Sequence, residues 1–460
     1  MESHHIHEAS RPDHKLVIVG GSKLSGHVNI SGSKNSALAI LAGTLCFSGT
    51  SKLHNSPNNL SDIKTMFSVL RSLGARVEVL NGELKVDTDG LCSSEPCSDS
   101  VMKIRAGIFV LGPILARLGE ATVALPGGCD IGARPIDLYI RGLRELGAVV
   151  ELIYMLIIFL INYYRHGKVC AHAANGRGLV GGSFCLDYPS VGATETLMMA
   201  ASLADGNTVL SNVAKEPEVV DLAQFLNASG ACVEGAGSST IVIRGRKRLD
   251  GPAEHTVIPD RIEAGTFMIA AAITRSCISM SPVIPSHLSS LMDKLSAVGC
   301  KIKQTTSHTV EISAERLKIE DGLQGLDVRT GPFPQFPTDL QPQLMALLTT
   351  CSGTSSVEES VFEGRMGHVL ELEKLGARIR VCGSTALVYG MDQGSALYAS
   401  RVVAKDLRCG ASLVLAGMAA EGITEVEGVS HIDRGYEDLE MKLKGLGAQI
   451  SRQSSLISHF

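Results

Sequence analysis

Tryptophan is absent from the 460 residues, and aromatic residues make up only 4% of them. A core must therefore be filled with aliphatic and very small side chains. Basic charge is not in excess: 42 Lys and Arg face 47 Asp and Glu, for a net charge of −5. That excludes a bulk basic field for nucleic acid. An anionic substrate would have to be held by a local cluster of Arg and Lys against the overall sign. The 12 cysteines form no CxxC pair and no zinc-ligand spacing. They read as small hydrophobes in a reducing compartment, with no metal site expected. The P-loop pattern GxxxxGK[ST] is also missing. The start, MESHHIHEASRPDHKLVIV, has no apolar stretch of the signal-peptide kind. The most apolar run, MLIIFLI from Met155 to Ile161, is far below the roughly 20 residues of a membrane helix. A soluble cytoplasmic protein without membrane attachment is expected; a plastid location stays open if the natural N-terminus begins earlier.

What is abundant is glycine, 48 residues, within a 45% apolar composition. That suits tight turns and close packing and argues against disorder. One phrase recurs: apolar residues at helical spacing, then Leu-Gly-Ala or a variant, then alternating apolar positions. It occurs at Gly74, Gly147, Gly230, Gly299, Gly376 and Gly447. Each glycine stands where a helix end takes a left-handed residue, and a strand follows. A second phrase interleaves, an alanine-rich helix followed by a Gly-Thr-like turn and a strand, as in MMAASLADGNTVLSNV. Each unit therefore reads as strand, helix, strand, helix and one or two further strands. Six units fit two domains of three. The last unit lacks a closing strand, so the N-terminal strand is expected to return to it, and the chain to cross between domains twice. The expected division is 1–33 with 259–460, and 34–258.

The glycine spacings are 73, 83, 69, 77 and 71, so the second is about ten too long. That gap holds ELIYMLIIFLINYYRH, Glu151 to His166. The run is either an insertion outside the ancestral unit, such as a translated intervening sequence would leave, or an ordinary buried strand.

Several loops could carry chemistry. PGGCDIGARP holds Cys129 and Arg134 between glycines. It is either a tight turn with a structural cysteine or a loop whose thiolate is favoured by nearby positive charge. In SGSKNSALAI, Lys34 and Asn35 begin a helix that Ser31 or Ser33 would cap. They form either an anion site or a solvated helix start. Arg105 opens another apolar helix, where a surface arginine is the default. PSVGATE offers Ser190, Val191 and Gly192 as a capped helix start or as donors to an oxyanion. In GPFPQFPTDLQP, four prolines between Pro332 and Pro342 hold a rigid loop around Asp339, which is either an N-cap or a positioned general base. Arg408 and Arg434 stand near two more helix starts and could grip a carboxylate or phosphate.

The motifs SGSKN, PGGCDIGARP, PSVGATE, PDRIEAGTF, FPTDLQ, VFEGRMGH, DLRCGASLVLAG and HIDRGYE, in that order, resemble the UDP-N-acetylglucosamine enolpyruvyl transferase family from about Lys15 to Ile450. The resemblance implies an α/β fold of two inside-out α/β barrel domains, each of three repeated βαβαββ units, with the active site in the interdomain cleft. It implies transfer of the enolpyruvyl group of phosphoenolpyruvate to the 3-hydroxyl of UDP-N-acetylglucosamine, with release of phosphate, as the first committed step toward peptidoglycan. It implies Cys129 as the general acid and Asp339 as the base. Lys34, Arg134, Arg408 and Arg434 would hold the anionic groups, and Asn35 would help position them. Arg105, Pro135, Ile136, Asp137, Leu138, Ser190, Val191, Gly192 and Val361 would line the nucleotide-sugar site. No metal or organic cofactor is implied, and a monomer is expected. Some members carry a lysine where Tyr188 stands. The sister family, 5-enolpyruvylshikimate-3-phosphate synthase, shares the fold and phosphoenolpyruvate but lacks the PGGC loop. A catalytically silent binding protein of the same fold is a third reading.

Overall fold

Alanine- and leucine-rich helices form the centre of the molecule. The computed structural model describes residues 14–454, apart from 128–130, 133–135, 160–161, 175, 177, 252, 316–321 and 395, and apart from the side chains of 155–166. Helices Val191–Ser202, Arg261–Ile273, Gln341–Leu348 and Leu407–Ala419 are buried on nearly every side, and Lys34–Gly43 and Leu111–Leu118 over most of their length. A helix apolar all round belongs inside a core. Small residues set the spacing: a Cβ on Gly112 would lie 2.3 Å from the carbonyl oxygen of Thr196 on the neighbouring helix. Two buried apolar clusters result. One draws on residues between Ala37 and Val257, the other on Leu16–Ile30 together with Ile262–Ile450.

Sheets lie outside these helices, with alternately buried and exposed positions. Among the described residues, five sheets have four strands and one has three. The βαβαββ unit is seen whole in residues 183–244. Strands Ser183–Cys185 and Asn207–Ser211 run parallel across the helix Val191–Ser202, and Thr240–Arg244 and Cys232–Glu234 complete the sheet antiparallel. All six repeat glycines have positive φ, from 81° at Gly147 to 116° at Gly299, a conformation in which a Cβ is strained. The N-terminal strand His14–Val19 lies between Ile423–Glu427 and Gln449–Ser454, and so closes the last unit. Strand Ser25–Asn29 pairs with Cys277–Ser281, while Glu254–Thr256 pairs with Thr50–His54. The chain thus passes between the two clusters twice. The two crossings run side by side: Ser33 N donates to Ile258 O at 2.7 Å and Asp260 N to Ser31 O at 2.9 Å.

The apolar run of the second unit lies within a strand pair. It lengthens that unit's own hairpin, Ala148–Phe159 against Asn162–Ala173, 12 residues per strand where the first unit has 5. Pairing runs without a slip from Ala148 opposite Ala173 to Phe159 opposite Asn162. The third strand, Glu120–Ala124, pairs only with Lys168–His172. Ile153 and Tyr154 are accordingly 47% and 51% exposed, whereas Val150 and Val169 at the base are buried. No helix among the described residues is long and apolar enough to cross a membrane.

Candidate active site

Helix starts aim polar groups at the seam between the two halves. Ser33 caps Lys34–Gly43 and Ser190 caps Val191–Ser202, as their sequences suggest. Asp260 and Asp406 cap Arg261–Ile273 and Leu407–Ala419. Asp260 also accepts from Lys34 N at 3.1 Å, so the two crossings fix where Lys34 begins its helix. The Lys34 ammonium then lies 3.6 Å from Asp62 Oδ2, and Arg434 Nε donates to Asp62 Oδ1 at 2.9 Å. A single buried carboxylate thus holds cations from both halves.

Asp339 does not cap a helix. It lies in the single turn Thr338–Leu340 after the proline-rich loop, and its side chain is turned to two arginines. Arg365 Nη2 donates to Oδ1 at 2.6 Å and Arg408 Nη2 to Oδ2 at 3.0 Å. Both guanidinium groups are 4% exposed, and the Asp339 side chain 25%. Burial alone would raise the Asp339 carboxyl. Arg408, Arg365 and Lys34 outweigh it and hold the group far below the ordinary aspartate range. Asp339 in turn outweighs the burial of Arg408 and holds that guanidinium charged. Arg408 lies 5.4 Å over the ring of Tyr436, whose hydroxyl is fixed by Thr266 and Gln343. The centre therefore contains Lys34, Arg365, Arg408 and Arg434 against Asp62 and Asp339. It gathers four cationic side chains, with Asp260 also acting on Arg408, in a chain of net charge −5, the kind of local cluster the composition demands for an anion.

A second group gathers at two neighbouring helix starts. Ile136 precedes helix Asp137–Glu145, in which Leu138 is buried and Asp137 is 3.6 Å from Arg141. Arg141 also binds Asp187 at 2.6 Å, next to the half-exposed Tyr188. At the other start, a Cβ on Gly192 would lie 2.1 Å from the Tyr139 hydroxyl and 2.8 Å from Phe109. Phe109 belongs to the turn Arg105–Val110, and Tyr139 also acts on Arg105, so that turn, the start of Asp137–Glu145 and the start of Val191–Ser202 lie together. Asn35 lies in the first turn beside Lys34. Val361 N donates to Glu359 at 2.9 Å on the segment leading to Arg365. Cys129, Arg134 and Pro135 lie outside the described residues. Of their loop, Ile131 O accepts from Gly364 N at 3.0 Å, one residue before Arg365. Sequence reasoning missed Asp62, Glu359 and Arg365. The last stands inside the quoted motif VFEGRMGH, and an arginine in a glycine-flanked segment was the available signal.

The sequence profile described as EPSP synthase (3-phosphoshikimate 1-carboxyvinyltransferase) matches residues 18–443. The chain is 49% identical over 439 residues to a UDP-N-acetylglucosamine 1-carboxyvinyltransferase of Prochlorococcus marinus, with 95% of each chain covered. It is 50% identical over 445 residues to one of Gloeobacter violaceus, covering 96% of this chain and 92% of the relative. Among solved structures, the enolpyruvyl transferase NikO from Streptomyces tendae matches with a TM-score of 0.82 at 25% identity, covering 97% of this chain and all of that one. An EPSP synthase from Acinetobacter baumannii shares the fold at a TM-score of 0.70 and 17% identity, covering 96% of this chain and all of that one. The fold is that of an enolpyruvyl transferase. The chain belongs, within that class, to the UDP-N-acetylglucosamine 1-carboxyvinyltransferase family.

Proposed function

We infer that the protein transfers the enolpyruvyl group of phosphoenolpyruvate to the 3-hydroxyl of UDP-N-acetylglucosamine by addition and elimination. That is the first committed step of peptidoglycan precursor synthesis, carried out by a cytoplasmic monomer. The observation that carries the reading is the Asp339 carboxylate, held ionised by Arg365, Arg408 and the nearby Lys34. It stands beside the identity of 49–50% to relatives named for this reaction.

The roles follow from the chemistry. Lys34, Arg134, Arg408 and Arg434 hold the carboxylate and phosphate of phosphoenolpyruvate, and Asn35 helps orient them. Cys129 gives a proton to the methylene carbon, and the neighbouring carbon gains oxocarbenium character. The sugar 3-hydroxyl adds there while Asp339 takes its proton. The Cys129 thiolate left by the first step takes back a methyl proton as phosphate departs, which restores the double bond and the acid. Arg105, Pro135, Ile136, Asp137, Leu138, Ser190, Val191, Gly192 and Val361 receive the nucleotide sugar. Residues 34–258 supply the cysteine loop, Lys34 and most of the nucleotide site. Residues 1–33 with 259–460 supply Asp339, Arg408 and Arg434. Acid and base thus come from different domains, and closure of the domains excludes water as it brings them together. Phosphate release by the purified chain should require phosphoenolpyruvate and UDP-N-acetylglucosamine together. Release with shikimate 3-phosphate instead would assign the chain to the sister reaction, and release with neither would leave a binding protein.

A further inference from the structure

Glu359 ties together the segments that carry Asp339, Val361 and Arg365. Its carboxylate is buried, 4% exposed, and meets four donors. Oε1 accepts from Thr330 Oγ1 at 2.8 Å, Val361 N at 2.9 Å and Phe362 N at 3.1 Å. Oε2 accepts from Thr338 Oγ1 at 2.9 Å. Thr338 precedes Asp339, and its hydroxyl also accepts from Arg365 Nε at 3.3 Å. Arg365 reaches Asp339 through its Nη2 at 2.6 Å. Two of the guanidinium's donors are thereby fixed, one on Thr338 and one on Asp339, and a planar group held at two points has its direction set.

We propose that Glu359 is a positioning residue: through the Thr338 hydroxyl it aims Arg365, and Arg365 aims the Asp339 carboxylate at the hydroxyl to be deprotonated. The assignment rests on Asp339 being the base. The Thr338 hydroxyl has one hydrogen, and Glu359 takes it. Its lone pair is then left for Arg365. A glutamine at 359 keeps an acceptor for Thr330, Val361 and Phe362 but turns an N–H₂ to Thr338. That hydroxyl would then meet a donor on each side and lose its fixed orientation. Valine at 338 removes the hydroxyl at nearly constant volume.

The test is a double-mutant cycle on the full chain with both substrates. Thr338→Val and Glu359→Gln should each lower kcat about tenfold, the worth of one hydrogen bond to a charged group. The KM for phosphoenolpyruvate should stay within twofold, because Arg365 is aiming the base rather than binding that anion. The double variant should be no slower than either single one. Thr338→Ser, which keeps the hydroxyl, should return kcat to within twofold of the parent. Wild-type kcat in Thr338→Val, multiplicative losses in the double variant, or a loss confined to KM would each overturn the proposal. Should Glu359→Gln fail to fold by circular dichroism, the Thr338→Val and Thr338→Ser pair decides alone. Full activity in Asp339→Asn would instead refute the base assignment, a separate outcome.

Discussion

Replacing Asp339 by asparagine removes one negative charge from between two guanidinium groups that are each 4% exposed. The amide oxygen can still accept from one arginine. Its N–H₂ group faces the other, donor against donor. Leaving one buried guanidinium unpaired costs about 3 kcal/mol; the quarter exposure of the Asp339 side chain reduces that to about 2 kcal/mol through solvent screening. Denaturant unfolding should report this loss. The unpaired cation should also make the variant bind anions more tightly than the parent. Phosphate at ten times its dissociation constant restores about 1.4 kcal/mol, so the gap between variant and parent should narrow as phosphate is added. Turnover should fall by about 10²–10⁴, the usual worth of a general base. The sign with pH follows from the depressed carboxyl. A native pKa below the unfolded one gives stability that is complete above about pH 4 and lost as pH falls toward the native value. Asp339→Asn should therefore lose less stability than the parent between about pH 4 and pH 2. A variant with parental stability, parental phosphate response and a parental acid limb would refute the claim that Asp339 neutralises these arginines.

Three further outcomes are expected. Cys129→Ala should be nearly inactive, whereas Cys129→Asp should keep turnover, because a carboxylic acid can still donate the proton; equal activity of the alanine variant would remove Cys129 from the chemistry. Gly192→Ala places a methyl 2.1 Å from the Tyr139 hydroxyl and should destabilise by about 1–3 kcal/mol, with part regained in the Gly192→Ala, Tyr139→Phe pair; a melting temperature equal to the parent's would count against the packing described. His368 is buried, donates from Nδ1 to the Arg365 carbonyl at 2.9 Å, and is pushed down by burial to about 4. Its contribution of about 3 kcal/mol is present above about pH 6.5 and lost as pH falls to about 4. His368→Gln should flatten stability over that window, and an unchanged slope would contradict it.

The repeat was readable in the sequence because its marker is a backbone requirement. Gly74, Gly147, Gly230, Gly299, Gly376 and Gly447 all have positive φ, which few other residues accept. The caps Ser33 and Ser190 were legible for a similar reason, since a cap contacts only its next three residues. The partners of Asp339 were not. Arg365 is 26 residues away and Arg408 is 69. A local reading of Thr-Asp before a helix favours a cap, and only the packing of separate units turns the carboxylate elsewhere. Asp62 was missed more completely: it reads as an ordinary acid in a first helical turn, while its partner Arg434 is 372 residues on. The hairpin Ala148–Ala173 could be read in two ways, as an insertion or as a buried strand. A continuous apolar run is the mark of a strand buried on both faces, but the pairing here extends past Glu120–Ala124, and Ile153 and Tyr154 at its edge are exposed.

On the proposed assignment, the cations that would hold phosphoenolpyruvate also keep Asp339 from being basic. A carboxyl held far below its usual range by Arg408, Arg365 and Lys34 has little drive to take a proton from a sugar hydroxyl. An anion that pairs with Lys34 and Arg408 gives those cations a second counter-charge and adds negative charge beside Asp339. Both effects raise the carboxyl toward its ordinary value. The base then gains strength only when phosphoenolpyruvate is in place, and a sugar bound alone meets a carboxylate too acidic to activate it. Neutral esters of phosphoenolpyruvate should consequently fail at the chemical step even at concentrations that fill the site. Such an ester turning over at the rate of the free acid would show that Asp339 is basic without the anion's help, and the coupling of charge to catalysis would have to be abandoned.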